Sequence, residues 1–562
     1  MLLVLLYWIF LLVVLTPFGV LLTRILGLKN VNPEIQLLFG VYMISAIASL
    51  YALFDGLGYR FDLLLIGLAL LGYILLNKET FALILSLKAK FTKLPSLLKY
   101  TLVILMALAL AQSASSPYLI DNESYYIQTI KWLDSYGFVP GLANLHAFLG
   151  QTSAWHISQS ALNLNTLFPH FNDLNGFFLV LANCYAFGYL NTYFKTKKWT
   201  HLTVGLFPIF NIFLFQFISS PSPDIPLYIC FLIILAEFLT YQKDNAVAAF
   251  KIITTLAIFS CFVKPTAALY LLVAITIVYI DRSVLKKSWL PLACIGLTTL
   301  VLFVLKNSIV TGYPIYPLSF FQLGEWALPE SLQNFYVQQT KLYGFFMTTE
   351  VYEQATPMQR FIRWLRLPKL HGFFNISMCI LLLIFPLIIY RSKTLKKRLV
   401  WLYVISVLQL TVLLLSSPQY RFFFMFFMAL SLIGYAIVLK GRFTKTAIII
   451  STLIIAIPLF APLNLNWFTK NEFHLDLKRF SFSNLIIPHQ QTRYTDAIFR
   501  LNEDSKLYTP ENIDFFWATG DCPIPCVQQQ QLDYFKTYFK LEPVLRTAHL
   551  KDGFISKEVT ID

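Results

Sequence analysis

The sequence predicts an all-α polytopic membrane protein of about fourteen transmembrane helices, followed by a small C-terminal extracytoplasmic α/β domain. Three observations carry this expectation. The 562 residues are 57% hydrophobic and only 13% charged, with a mean hydropathy of +0.64, whereas a soluble domain carries about 25% charge. Apolar segments of roughly 17–22 residues, each long enough to cross the hydrocarbon core, recur along most of the chain. Few segments alternate with period two, which argues for a helix bundle over a β-barrel.

The first apolar segment, "LLVLLYWIFLLVVLTPFGVLL", has no basic leader and no small-residue cleavage site. It reads as a retained span. With it, fourteen span centres fall near Val14, Ser45, Leu68, Met106, Leu181, Ile209, Leu232, Leu256, Val273, Leu297, Leu383, Ser406, Ala429 and Ile454. Basic clusters then fall on alternate loops: Lys88, Lys90 and Lys93; Lys195, Lys197 and Lys198; Arg282, Lys286 and Lys287; Arg391 to Arg398; Lys440, Arg442 and Lys445. The positive-inside rule makes those loops cytoplasmic. It also accounts for the net charge of +15 without a nucleic-acid partner.

This topology divides the chain into N-terminal helices (1–98), a transmembrane core (99–465) and an extracytoplasmic C-terminal domain (466–562). The core carries two long extracytoplasmic loops, 116–171 and 306–372. Long loops in compact proteins are commonly functional. In the first, "YYIQTIKWLDSYG" reads as an amphipathic helix lying in the interface. Among the cysteines, Cys184, Cys230, Cys261, Cys294 and Cys379 sit in apolar spans as small hydrophobes. Cys522 and Cys526 flank "PIP" in the polar tail, where a tight disulfide is expected over a metal site.

Chemistry-bearing residues collect on the extracytoplasmic side. "YLIDNESYYIQTIKWLDSYGFVPGLANLH" places Asp121 and Glu123 just past a span, beside Tyr125 and Tyr126. Neighbouring aromatics desolvate a carboxylate and raise its basicity, as a general base requires. The Gly/Pro turn that follows brings Asn144 and His146 back toward the acids. Solvated loop acids are the bland reading of the same residues. In "SSPSPDIP", Asp224 is an ordinary helix-start acid favoured by the dipole, or a pocket residue. In "CFVKPTA", Lys264 at a helix end either snorkels or meets an anion. In "LKNSIVTGYPIYPL", Lys306 and Asn307 close a helix, and Tyr313 and Tyr316 follow in a proline turn that doubles as an aromatic belt. In "LLSSPQYRFFF", Gln419 and Arg421 interrupt two apolar helices on the side where arginine is disfavoured, so Arg421 calls for an anion such as a lipid phosphate. Together these residues describe a pocket at the membrane surface with a carboxylate wall and a cationic wall, suited to transfer from a lipid-linked phosphate.

The chain resembles the GT-C superfamily of polyprenyl-phosphate-dependent glycosyltransferases over roughly 99–425. "NSIVTGYPIYPL" is similar to that superfamily's N-x-x-x-TG-x-P-x-YP pattern, and "SSPQYRFF" to its late Pro-x-x-Arg hairpin. "SYYIQTIKWLDSYGFVPGLANLH" looks more narrowly like a group of bacterial membrane proteins within that architecture, seen in Bacteroidetes and spirochaetes. The resemblance implies inverting glycosyl transfer from a polyprenyl-phosphate-linked sugar to an extracytoplasmic glycan or lipid acceptor. The setting would be cell-envelope assembly at the bacterial inner membrane, with no cofactor and no metal. It assigns the general base to Asp121 or Glu123, with Asp121 favoured, and the donor phosphate to Arg421 with Lys264 or Lys306. Three spans precede the core, where the family usually has one, and Asn122 separates the two acids that the family often places side by side. A polysaccharide polymerase or ligase of the same topology, and a transporter or flippase of a lipid-linked or anionic solute, are the competing readings.

Overall fold

A computed structural model describes residues 1–165, 167–169, 173–461, 480–503 and 506–560. The fold is helical up to Phe460, with strands confined to the C-terminal region. Among the described residues, nine helices are long and apolar enough to cross a membrane, or ten if the pair Tyr59–Leu75 and Asn77–Thr92, bent by 96°, is one broken span. Each of the fourteen expected centres lies in a helical segment. The difference from fourteen comes from length and polarity. Asp224–Thr240 has 17 residues, and Pro265–Ile280 and Thr444–Phe460 are also short. Leu174–Thr196 is long but carries Asn175, Asn183 and Asn191, and is not among the nine.

The N-terminal helices are built into the core. Leu2–Ile25 and Pro33–Tyr51 cross closely where neither helix has a side chain to keep them apart. A Cβ on Gly19 would meet the Gln36 carbonyl oxygen at 1.9 Å, and one on Gly40 the Leu15 oxygen at 2.3 Å. Small residues at such crossings are what van der Waals packing between membrane helices requires. Trp8 Nε1 then donates to Asp173 Oδ2 at 2.8 Å, tying the first helix to the start of Leu174–Thr196. One apolar cluster runs from Val4 to Phe554, and a second gathers Tyr316, Tyr336, Trp517 and Phe535.

The first long loop is a compact series of short helices: a π-helical turn Asn122–Tyr126, then Ile127–Tyr136, Leu142–Leu145, Ala147–Gln151 and Ala154–Leu162. The helix expected to lie in the interface is instead buried, with Ile127, Ile130, Trp132 and Leu133 inaccessible. Its polar face is covered by the tail, since Gln128 Nε2 donates to the Cys522 carbonyl at 2.7 Å. In the second loop, the span Trp289–Thr311 continues past Lys306 and Asn307 and ends at Gly312, whose φ of +78° permits the left-handed cap. Lys306 therefore sits inside the last turns of a span. Helices Glu330–Phe345, Thr349–Gln354 and Pro357–Leu365 follow.

The expected boundary at 465/466 lies outside the described residues. Beyond it, β1 (Phe499–Asn502) pairs antiparallel with β2 (Leu507–Pro510). Helix Gln529–Phe539 leads into β3 (Leu541–Leu545), which pairs with β4 (Phe554–Glu558) in the register Val544 opposite Ile555. The Cys522–Cys526 disulfide is formed, and the remaining five cysteines are free. The tail sits on the first long loop: Thr519 and Gly520 N–H donate to the Glu123 carbonyl at 2.9 and 2.8 Å, and Phe554 N–H to that of Pro140 at 3.0 Å.

Candidate functional site

A cavity of about 1110 Å³ opens among the first long loop, several helix ends and the tail. On its wall, Arg421 Nη1 meets Asp121 Oδ2 at 2.6 Å and lies 3.9 Å from Asp224 Oδ2. Lys264 Nζ meets Asp224 Oδ1 at 3.2 Å and stands 4.0 Å over the Phe422 ring. Local structure explains each placement. Asp121 precedes the π-helical turn, which starts a few residues after the span Ser96–Ser113. Asp224 occupies the first turn of its helix, where the dipole favours a carboxylate. Lys264 is the extended residue between Ala246–Val263 and Pro265. Arg421 lies in the first turn of Tyr420–Val438, after the Ser-Ser-Pro-Gln break, and its Nε donates to Gln419 Oε1 at 3.0 Å.

Two carboxylates thus face two cations in a nearly neutral quartet. Burial alone would raise the Asp121 carboxyl. The Arg421 guanidinium, as charge and as hydrogen-bond donor, outweighs it with help from Lys264 and Tyr126, and holds Asp121 below its ordinary range. Asp121 is therefore ionised at neutral pH.

Lys306 is different. It is buried, its Nζ donates to the Thr152 carbonyl, and among the described residues no carboxylate lies within 4.0 Å of it. It reaches the same cavity, next to Asn307, Tyr316 and His156. Burial and the nearby charge of Lys306 push the His156 imidazole down to about 3, so it stays neutral. A buried lysine with no carboxylate beside it, on a cavity wall, is a group whose charged form an anion would stabilise.

Of the residues singled out from the sequence, Asp121, Tyr125, Tyr126, Lys264, Lys306, Tyr316, Gln419 and Arg421 line the cavity. Asp224 stands just behind the lining, bonded to Lys264. Four others are placed elsewhere. Glu123 does not line the cavity. It is fully buried, and its carboxylate accepts from Thr492 Oγ1 at 2.6 Å, Arg493 N–H at 2.9 Å and Asn122 Nδ2 at 3.1 Å. Its side chain faces away from Asp121 because the π-helical turn sends residues two apart to different sides, so it clamps the tail. His146 also serves the tail: Nε2 donates to the Trp517 carbonyl at 3.2 Å, and Nδ1 accepts from Phe148 N–H at 3.3 Å. Burial pushes its imidazole down to about 4, consistent with that neutral, doubly bonded tautomer. Asn144 donates to the Trp326 carbonyl at 2.8 Å and accepts from Ser556 Oγ at 2.7 Å. Tyr313 turns its hydroxyl to the Leu328 carbonyl at 2.9 Å.

The sequence reading missed the aromatic wall. Phe148 stacks on Tyr125 at 5.3 Å and meets Tyr336 and Trp517 edge-on, each at 4.9 Å. Phe515, Phe516 and Trp517 come from "IDFFWATG" in the tail. A run of aromatics there was the available signal. His156 was missed as well. Its own cue was the Ser153-x-x-His156 spacing, which forms a capping box for Ala154–Leu162.

A family model described as a domain of unknown function (DUF8201) matches residues 1–428, so the chain belongs to that family. No curated protein and no solved structure gives a significant match to the chain. The family match spans both acid–base pairs and Lys306 but stops before the tail residues that complete the cavity.

Proposed function

We propose that this DUF8201 member is an inverting glycosyltransferase that moves a sugar from a polyprenyl phosphate to an acceptor hydroxyl. The observation that carries the reading is the 2.6 Å pairing of Asp121 with Arg421 on the wall of a cavity at the ends of membrane helices. In the proposed step, the acceptor oxygen attacks the anomeric carbon from the face opposite the phosphate. The bond from anomeric carbon to phosphate oxygen breaks, the lipid phosphate leaves with the electron pair, and the acceptor proton passes to Asp121. An incoming phosphate competes with Asp121 for Arg421. Loss of that counter-charge raises the basicity of Asp121, so the base is activated only when the donor is seated. Lys306, with no carboxylate of its own nearby, supplies the second positive charge for the leaving phosphate. No metal is required for a monophosphate leaving group with two such cations.

The basic-loop pattern supports fourteen crossings with the cavity and tail on the extracytoplasmic side, and the bacterial inner membrane is the setting that the resemblance to GT-C enzymes implies. A second reading, a polysaccharide polymerase or ligase, is favoured by the size of the cavity. About 1110 Å³ is at the upper end of small-ligand pockets and accommodates a glycan chain beside a lipid-linked sugar. The test is transfer by the purified protein in nanodiscs, using synthetic short-chain polyprenyl-phosphate sugars and a panel of monosaccharide-lipid and oligosaccharide acceptors. Release of polyprenyl phosphate with formation of a glycosidic product supports transfer, and acceptor length separates the two readings. Transmembrane flux of the intact donor without product would point to a transporter or flippase and overturn the proposal.

A further inference from the structure

A second concavity, about 430 Å³, lies beside the main cavity and shares Phe346 with it. Its polar lining is Gln359, Arg363 and Arg366, with Ile362 and Leu367 between them. These residues belong to helix Pro357–Leu365 and the residues just after it. The helix is held firmly. Thr356 and Gln359 form a reciprocal capping box at its start. At its end, Trp364 is buried and donates Nε1 to the Pro418 carbonyl at 2.7 Å, in the hairpin that carries Arg421. Arg363 Nη2 donates to the Phe346 carbonyl at 2.9 Å, which fixes one guanidinium at the rim and uses one of its five donors. Among the described residues, neither Arg363 nor Arg366 has a carboxylate within 4.0 Å.

The span Lys369–Arg391 begins immediately afterwards. Its exposed residues Phe373, Ile376, Ile380, Leu383 and Leu387 recur every three or four positions, one stripe along the helix. A continuous apolar stripe exposed on a membrane-spanning helix faces acyl chains. Arg363 and Arg366 stand at the head of that stripe, where lipid phosphates sit. Lipid phosphates are the anions available at that depth of a bilayer, and two guanidinium groups without carboxylate partners attract them.

We propose that the Arg363–Arg366 groove binds the phosphate-bearing headgroup of an anionic membrane lipid, with the acyl chains along the Phe373–Leu387 stripe. The guanidinium fork matches phosphate oxygens in pairs. The inference does not depend on glycosyl transfer. The test is native mass spectrometry of protein released from nanodiscs containing phosphatidylglycerol and phosphatidylcholine, with binding of a short-chain fluorescent phosphatidylglycerol in detergent. The wild-type protein retains phosphatidylglycerol preferentially. The double variant R363Q/R366Q loses about tenfold or more in affinity for it, given about one kcal/mol per basic residue near an anionic surface, while R363K/R366K keeps part of it. R360Q serves as control: Arg360 lies on the same helix but stacks 3.9 Å over Tyr352, outside the groove, and its loss leaves lipid binding unchanged. Equal retention of both lipids, unaltered binding by R363Q/R366Q, or displacement of the lipid by millimolar inorganic phosphate would overturn the assignment, the last by revealing a free-phosphate site. Because both arginines are exposed, the variants keep the wild-type elution and melting profiles. Should R363Q/R366Q misfold, the single variant R366Q gives the same reading at smaller amplitude.

Discussion

Asp121 and Arg421, 300 positions apart in the chain, meet at 2.6 Å, and Asp224 approaches the same guanidinium at 3.9 Å. The pair joins a loop that follows one span to the first turn of another, so its geometry depends on the whole intervening bundle. Asn in place of Asp121 keeps the shape but removes the charge and the proton acceptor. Asp121→Asn is expected to lower transfer by about 10²-fold or more, with the protein still in the membrane at wild-type level. A transfer assay alongside a melting curve checks this, and wild-type activity in the variant would remove Asp121 from the chemistry.

Lys306 separates anion binding from ion pairing. The quartet balances its own charges, whereas Lys306, among the described residues, meets the Thr152 carbonyl and the Phe303 ring at 5.3 Å but no carboxylate. Replacing it by Met removes a buried amine without leaving a buried acid unpaired, so Lys306→Met is expected to be as stable as the wild type or more stable. The same variant should weaken donor binding about tenfold or more. Thermal shift and donor titration report the two effects on one sample. A marked fall in stability with unchanged donor binding would show that Lys306 is a structural group.

Glu123 and His146 are predicted to control seating of the tail. Glu123→Ala strands the Thr492 hydroxyl and Arg493 N–H, at about 1–3 kcal/mol for each buried group. Its tail should be cut faster in limited proteolysis. His146 adds a pH dependence. Burial pushes its imidazole down to about 4, against about 6.5 in an unfolded chain. Its contribution is complete above the unfolded value and is lost as pH falls through the window from about 6.5 to about 4. By pH 5 the loss is on the order of 2 kcal/mol. His156, pushed down to about 3, acts in the same direction. Burial instead raises the Glu123 carboxyl despite its three donors. Its linkage therefore runs the other way, favouring the fold below the ordinary glutamate value and fading as pH rises through the raised one. Proteolysis of the tail at pH 5 and pH 7 should differ in the wild type and differ less in His146→Phe.

The sequence made the bundle legible because apolar length is a property of each segment alone, and every expected centre lies in a helical segment. Asp121, Lys264, Lys306 and Arg421 were legible for a similar reason: each is a charge at the end of an apolar run, where hydrocarbon makes it costly. What local reading could not separate was Asp121 from Glu123. Both acids have the same neighbours in sequence, and only the π-helical turn and the docked tail send one to the cavity and the other to Thr492. The interfacial helix failed for a related reason. Amphipathicity at Ile127–Tyr136 reports two chemically different faces, and here the polar face meets the tail instead of water. Contacts made by a segment some 390 residues downstream, such as Gln128 with Cys522, leave no periodic mark on the sequence.

Trp517 offers a direct test of what the tail contributes. It lies beyond the family-matched residues yet lines the cavity, with its ring 4.9 Å from Phe148 and its carbonyl held by His146. Full truncation would create a large void, at about 3–5 kcal/mol, and would confuse seating with binding. Trp517→Phe keeps an aromatic face and the backbone bond to His146 while shortening the wall. If the tail supplies the acceptor side of the cavity, this variant should raise the acceptor KM several-fold and leave donor binding and tail proteolysis at wild-type levels. The proposed lipid-phosphate end, at Lys306 and Arg421, lies on other elements. An equal change for donor and acceptor would mean that Trp517 merely props the cavity open, and unchanged kinetics with faster proteolysis would confine it to anchoring the tail.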